Sequence, residues 1–309
     1  LAAFAAGYEN AKAAVIAPSP AAAKPAAGAS PAGRALLAKA AGLLPPEAMD
    51  MAEHGLRKVV DYQDPAYGEE YLSRLAGIAA TDKLYGGARN GWQLTRETAR
   101  YLALWMTFED VFRVADLKTR AGRFARVRED VRAAPGQIMG VSEYMHPRVE
   151  EFCGTMPVRL GRYIESRPGL ARFIDRRINR GRHIRTDSVL GFSMLWVIGG
   201  LRRWRRGLLR HHVEVAHLER WYQLALSHVP ADYALAVEIL ECRRLIKGYS
   251  DTHVRAQSKF DRVLSGLAML KGRADAAEWL RRLRELALKD EKGDMLDGAL
   301  KTVASLREG

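Results

Sequence analysis

From residue 46 onward, apolar side chains recur at intervals of three or four, with polar residues between them. That is the period of an amphipathic α-helix, one stripe facing a core and the other facing water. The pattern predicts helices over 46–60, 66–78, 95–106 and 109–131, then shorter pieces over 148–152, 158–164 and 170–179. Further helices follow over 189–204, 213–228, 233–247, 252–270, 274–288 and 295–306. Asp64 and Pro65 open the second helix, whose Tyr67, Tyr71, Leu72 and Leu75 share one side. The helix over 95–106 carries Tyr101, Leu102, Trp105 and Met106. Only short runs such as His183-Ile184-Arg185-Thr186 have strand character, and no long repeat period is present. The expected fold is all-α: many helices, short irregular connections, little or no sheet. The most apolar stretch, residues 189–201, is too short for a bilayer, which takes about 20 residues. It is predicted to be a buried core helix.

The first residues break this pattern. Residues 1–17 are alanine-rich, with Leu1, Phe4, Tyr8, Ala11 and Val15 at helical spacing. Residues 18–33 combine small residues with prolines, the composition of an extended linker. A short helix over 34–44 then precedes Pro45 and Pro46. The domain boundary is placed in the linker. Residues 34–309 are expected to form the helical domain, and residues 1–17, which start inside a helical pattern, are expected to belong to a longer polypeptide.

Charge changes the picture more than overall composition does. The chain carries a formal net charge of +13. Residues 159–210 hold 14 arginines and no lysine against Glu165, Asp175 and Asp187, so one segment accounts for +11. Within it, Arg202, Arg203, Trp204, Arg205 and Arg206 adjoin the apolar run. Such a cluster can neutralise phosphates and stack a base, lie on an anionic membrane, dock an acidic protein, or form a solvated face paired with the protein's own acids. No nucleic-acid fold pattern accompanies it. Two cysteines, Cys153 and Cys242, rule out a disulfide framework or a four-cysteine metal or iron–sulfur site within the chain. They fit a reducing, cytoplasmic setting.

Motif by motif, little chemistry is visible. There is no Gly-rich phosphate loop, no Gly-x-Ser-x-Gly elbow and no zinc-protease histidine pair. His211 and His212 are adjacent, about 100° apart on a helix, and read as surface polarity. His146 precedes Pro147 in a loop. In the stretch 61–67, Asp64 is placed as the cap of a helix joint, with Tyr62 and Tyr67 packing and their hydroxyls reaching water; the same residues also suit the wall of a polar pocket. Glu109 with Arg113, and Asp116 with Arg120, are spaced for i,i+4 pairs. In 233–253, Asp232 caps a helix whose Leu235, Ile239, Cys242 and Ile246 form one stripe. Gly248 is placed to end it, and Lys247, Tyr249, Asp251 and His253 gather at the corner before the next helix.

Four segments occur in a fixed order: Val60-Asp-Tyr-Gln-Asp-Pro-Ala-Tyr67, Leu104-Trp-Met-Thr-Phe-Glu-Asp-Val-Phe-Arg-Val-Ala-Asp-Leu117, Ala234-Leu-Ala-Val-Glu238 and Leu245-Ile-Lys-Gly-Tyr-Ser-Asp-Thr-His-Val-Arg255. Together they resemble the C-terminal helical region of the indolepyruvate ferredoxin oxidoreductase beta subunit, in the 2-oxoacid:acceptor oxidoreductase family, over about 49–270. Leu1-Ala-Ala-Phe-Ala-Ala-Gly-Tyr8 resembles the final helix of that family's gamma-type domain, which implies that residues 1–17 are the remnant helix of a preceding domain of that type. The resemblance implies an accessory or assembly domain that supports oxidative decarboxylation of arylpyruvates by a catalytic alpha subunit and is inactive alone. Thiamine diphosphate and iron–sulfur clusters would belong to the partner subunit, and none is expected in this chain. Tyr62, Gln63, Asp64, Tyr67, Lys247, Tyr249, Asp251 and His253 would shape or support a site completed by the partner. The segment Arg202, Arg203, Trp204, Arg205 and Arg206 would dock the alpha subunit, or an acidic acceptor such as ferredoxin. A basic nucleic-acid-binding module and a purely structural scaffold are the alternatives.

Overall fold

A computed structural model describes residues 30–134, 136–137, 139–246, 251–290 and 293–305, with backbone alone for 251–256. Among the described residues the fold is all-α apart from one small two-stranded sheet. Ser30 accepts from Gly33 N–H and starts α1, Pro31–Leu43, three residues before the predicted start. Next come α2 (Pro46–Tyr62), α3 (Pro65–Leu84) and α4 (Gln93–Met106), then α5 (Val111–Thr119) and α6 (Ala121–Asp130). The helix expected over 109–131 is therefore two helices, because Arg120 adopts an extended backbone between them.

Strand β1 (Ser142–Met145) leads to α7 (Val149–Gly154), α8 (Val158–Glu165) and α9 (Pro168–Ile178), and strand β2 (Arg182–Arg185) pairs back antiparallel on β1. Helix α10 (Val189–Gly200) runs into a 3-10 helix, Leu201–Gly207, and then α11 (Leu209–His228). Helix α12 (Tyr233–Glu241) tightens into a second 3-10 turn, Cys242–Leu245, short of the predicted end. The chain resumes as α13 (Asp251–Ser265), α14 (Leu267–Leu270), α15 (Ala276–Lys289) and α16 (Asp294–Ser305).

The main core lies where α2, α3 and α4 meet α11, α12 and α15. Trp105 is at its centre, its ring 5.2 Å from Trp221 and 5.5 Å from Phe260. The predicted stripe Leu235, Ile239, Cys242 and Ile246 is buried in this core, and Asp232 caps α12 through the Leu235 N–H, 2.9 Å away. Helices α2 and α4 approach closely because Gly55 leaves room for Tyr71. A Cβ at residue 55 would lie 2.2 Å from the Tyr71 hydroxyl, which donates to the Ala99 carbonyl at 2.8 Å. Buried Asp82 joins three helices: it accepts from Thr95 N–H (2.9 Å), Thr95 Oγ1 (2.6 Å) and the Tyr233 hydroxyl (2.8 Å). A smaller cluster of Cys153, Ile164 and Leu209 holds α7, α8 and α9 against α11.

Helix α10 departs from its expected place. Gly191, Leu195 and Gly199, spaced by four, turn inward, and α10 packs against α5, where Gly199 meets the Asp116 backbone. Its other faces are bare: Val189 is 86% exposed, Leu190 82%, Trp196 65% and Val197 54%. Only one narrow, small-residue row of an all-apolar helix is covered, so the helix lies at the surface instead of in the core. Among the described residues no helix is long and apolar enough to cross a membrane.

Candidate functional site

The corner between α2 and α3, the loop between α4 and α5, and the 3-10 helix Leu201–Gly207 converge on one buried arginine. Arg205 is 2% exposed. Its Nε donates to Asp110 Oδ2 at 2.6 Å and its Nη2 to Asp110 Oδ1 at 3.1 Å. Its Nη1 donates to the Tyr62 carbonyl (3.0 Å) and to Gln63 Oε1 (2.8 Å). The guanidinium lies 3.9 Å from the centre of the Tyr62 ring. Asp110 meanwhile caps α5 through the Arg113 N–H at 2.7 Å. Burial works against the Arg205 cation, but Tyr62 and Asp110 outweigh it and raise its pKa above the ordinary arginine value. This bidentate, fork-to-carboxylate geometry is the strong form of an ion pair.

Arg205 is therefore absent from the surface on which the sequence placed it. A 3-10 helix has three residues per turn, so i and i+3 eclipse. Arg202 and Arg205 form one such row and face the acids of α5 and its cap; Arg202 reaches to 3.8 Å from Asp116. Arg203 and Arg206 form the next row. Arg206 pairs with Glu70, and Arg203 stacks on exposed Trp204 with its guanidinium 4.5 Å from the ring centre.

The joint predicted for 61–67 is built as a joint. Asp64 accepts from the Tyr67 N–H at 2.8 Å and Pro65 begins α3. Tyr62 and Tyr67, however, are buried and do not reach water. The Tyr67 hydroxyl donates to the Met106 carbonyl at 3.1 Å, while the Tyr62 hydroxyl has no hydrogen-bond partner. Burial raises the pKa of both phenols. Beside them, Arg113 and Arg120 bridge Asp61 and Asp116: Arg113 at 3.0 and 3.2 Å, Arg120 Nη1 at 3.1 Å from Asp61. Burial tends to raise the Asp61 carboxyl, but the two arginines hold it below the usual carboxylate range. The Asp116–Arg120 pair is present as spaced, whereas Arg113 turns to Asp61 and Asp116 rather than Glu109.

Next to Arg205 lies a cavity of about 280 Å³ between the 109–112 segment, α7 and the start of α11. His211 lines it, 8% exposed, between Tyr67 (6.0 Å) and Phe108 (6.2 Å between ring centres). Its Nδ1 makes no hydrogen bond. Burial, helped by Arg206, lowers its pKa to about 4, so the ring is neutral near pH 7. The surface role expected for the His211–His212 pair holds only for His212. Helix α11 starts at Leu209, four residues before its predicted start, so His211 lies within its first turn, where it is buried. His146 is exposed and stacks against Tyr144. The corner residues Lys247 and Tyr249, with Gly248, lie outside the described residues. Asp251 and His253 are in the first turn of α13, and their side chains also lie outside the described residues. Thus Tyr62, Gln63 and Tyr67 come together with Arg205, Asp110 and His211. The periodicity places Asp110 inside a helix over 109–131, whereas it caps α5 and pairs with Arg205; no sequence signal marks the partners of Arg205 and His211.

The fold and site define a class: an all-α domain organised around a buried Arg–Asp–Tyr corner beside a small cavity with an apolar wall and a few polar groups. The chain belongs to the family described as Family of unknown function (DUF6537), whose model matches residues 48–266. No curated protein and no solved structure matches the chain. Among the described residues, no group of three or more His, Cys, Asp or Glu side chains is arranged to hold a metal ion.

Proposed function

We propose that the chain is the accessory, assembly-supporting domain of an indolepyruvate-type ferredoxin oxidoreductase beta subunit. It acts with a catalytic alpha subunit that carries the thiamine diphosphate and iron–sulfur clusters. The resemblance of the 60–67, 104–117, 234–238 and 245–255 segments supports the family context. The exposed apolar face of α10 carries the docking role. A helix apolar on all sides is normally buried, and α10 has no charged residue to form the polar face of a helix lying on a membrane. An apolar patch of this kind, rimmed by charge, is the anatomy of a protein interface. Arg203 beside it, exposed and, among the described residues, without an acidic partner of the kind that holds Arg202, Arg205 and Arg206, fits a partner with an acidic rim.

The test is co-purification of the chain with the alpha subunit, together with turnover of the reconstituted complex. Changing Trp196→Glu and Val197→Glu together is expected to abolish co-purification and leave the circular dichroism and unfolding midpoint of the isolated chain unchanged. Undiminished co-purification and turnover would overturn the proposal.

A further inference from the structure

The cavity beside Arg205 presents unused hydrogen-bonding groups of both kinds. On one side, the start of α11 offers His211 Nδ1 and the buried Arg210 Nε, neither with a partner; Arg210 Nη2 is held by Glu214 at 2.7 Å. On the other, α7 offers Glu151, whose Oε2 accepts from the Arg148 N–H at 3.3 Å while its buried Oε1 has no partner. Glu109 also lines the space, and Phe112 and Leu208 supply apolar wall. A buried polar atom without a partner costs about 1–3 kcal/mol, so several of them around one cavity describe a ligand.

The arrangement selects the ligand's charge. A simple carboxylate would gain Arg210 but face Glu109 and Glu151. A simple amine would gain the carboxylates but face Arg210. A molecule carrying both charges a few ångströms apart satisfies each side, with its apolar part against Phe112 and Leu208. We propose that this cavity binds a zwitterionic α-amino acid with an apolar side chain: its carboxylate is received by Arg210 and His211 and its ammonium by Glu151 and Glu109. The volume suits a ligand of this size, at the small end of ligand pockets, which run from roughly 300 Å³. The site stands apart from the α10 face, so it does not depend on the docking role.

Three probes of matched body separate the charge requirements: L-phenylalanine, 3-phenylpropionate and phenethylamine, titrated calorimetrically into the full chain. L-phenylalanine is expected to bind, with each singly charged probe at least about tenfold weaker, a difference of about 1.4 kcal/mol. Glu151→Gln and His211→Phe should each weaken L-phenylalanine about tenfold, and a thermal melt of each variant establishes that it folds. Should His211→Phe fail to fold, Glu151→Gln decides. Equal binding of 3-phenylpropionate and L-phenylalanine, no binding of any probe, or unchanged affinity in a folded Glu151→Gln variant overturns the proposal.

Discussion

Arg205 and Asp110 are 95 residues apart in the chain, yet they form a two-point ion pair with both side chains almost wholly withdrawn from water. The pair joins the 3-10 helix after α10 to the cap of α5, and through Tyr62 and Gln63 to the end of α2. It is the joint on which the Arg-rich segment meets the helical body.

Removing one member of such a pair leaves a buried charge uncompensated. Arg205→Met is expected to destabilise the fold by about 3–5 kcal/mol, measured by urea unfolding. Arg205→Lys should recover little, because an ammonium cannot reproduce the fork that binds Asp110, Tyr62 and Gln63 together. Adding Asp110→Asn to Arg205→Met should restore part of the loss. An additive double variant would show that the two side chains are not coupled.

Gly55 sets the distance between α2 and α4. Gly55→Ala is expected to cost about 1–3 kcal/mol by crowding the Tyr71 hydroxyl and its bond to Ala99. Tyr71→Phe in the same chain should relieve part of this cost, read from the shift of the denaturation midpoint.

His211 makes stability depend on pH. Its pKa falls from about 6.5 unfolded to about 4 folded, through burial first and Arg206 second. Below about pH 6.5 the unfolded chain takes up a proton that the folded chain refuses, so stability is complete above that pH and is lost as pH falls toward 4. At 1.36 kcal/mol for each pH unit the loss is on the order of 3 kcal/mol. The difference in unfolding free energy between the protein and His211→Phe, followed from pH 7 to 4, should move in favour of the variant. A constant difference would mean that the imidazole is not held neutral by the fold.

The exposed arginines should act differently from the buried one. Charge reversal at Arg203 and Arg206, Arg203→Glu with Arg206→Glu, is expected to leave stability within about 0.5 kcal/mol. It should weaken capture of the alpha subunit and make that capture less sensitive to salt. Arg205 cannot be included in such a set without unfolding the joint. A mobility shift of RNA or DNA that disappears in the same variant, without any effect on the alpha subunit, would point to a nucleic-acid partner instead.

Helices were readable wherever a residue's burial followed from its own neighbours in sequence. Asp64 and Asp232 each precede an apolar period, and both cap a helix as read; Asp110 and Ser188 also cap helices, but the pattern alone does not single them out. The Leu235–Ile246 stripe is buried as spaced. The two-stranded sheet is half visible in the sequence: the 183–186 run lies mostly in β2, while β1 exists through its pairing with a segment three helices away. The periodicity starts α11 at residue 213, four residues late, because Leu209 and His211 are buried by neighbours far away in the chain.

The sequence by itself determined that this chain is helical, where α3 and α12 cap, and that the Leu235–Ile246 stripe enters the core, because these follow from period and local hydrogen bonding. It also located the excess of arginine. Only the tertiary structure decided what each arginine does. Arg205 and Arg203 are near neighbours with the same side chain, but Arg205 turns to Asp110 and is buried and paired, while Arg203 turns away and lies on the surface against Trp204. The same holds for α10, equally apolar on every side: which face is covered depends on where α5 lies, a relation between segments far apart in the chain.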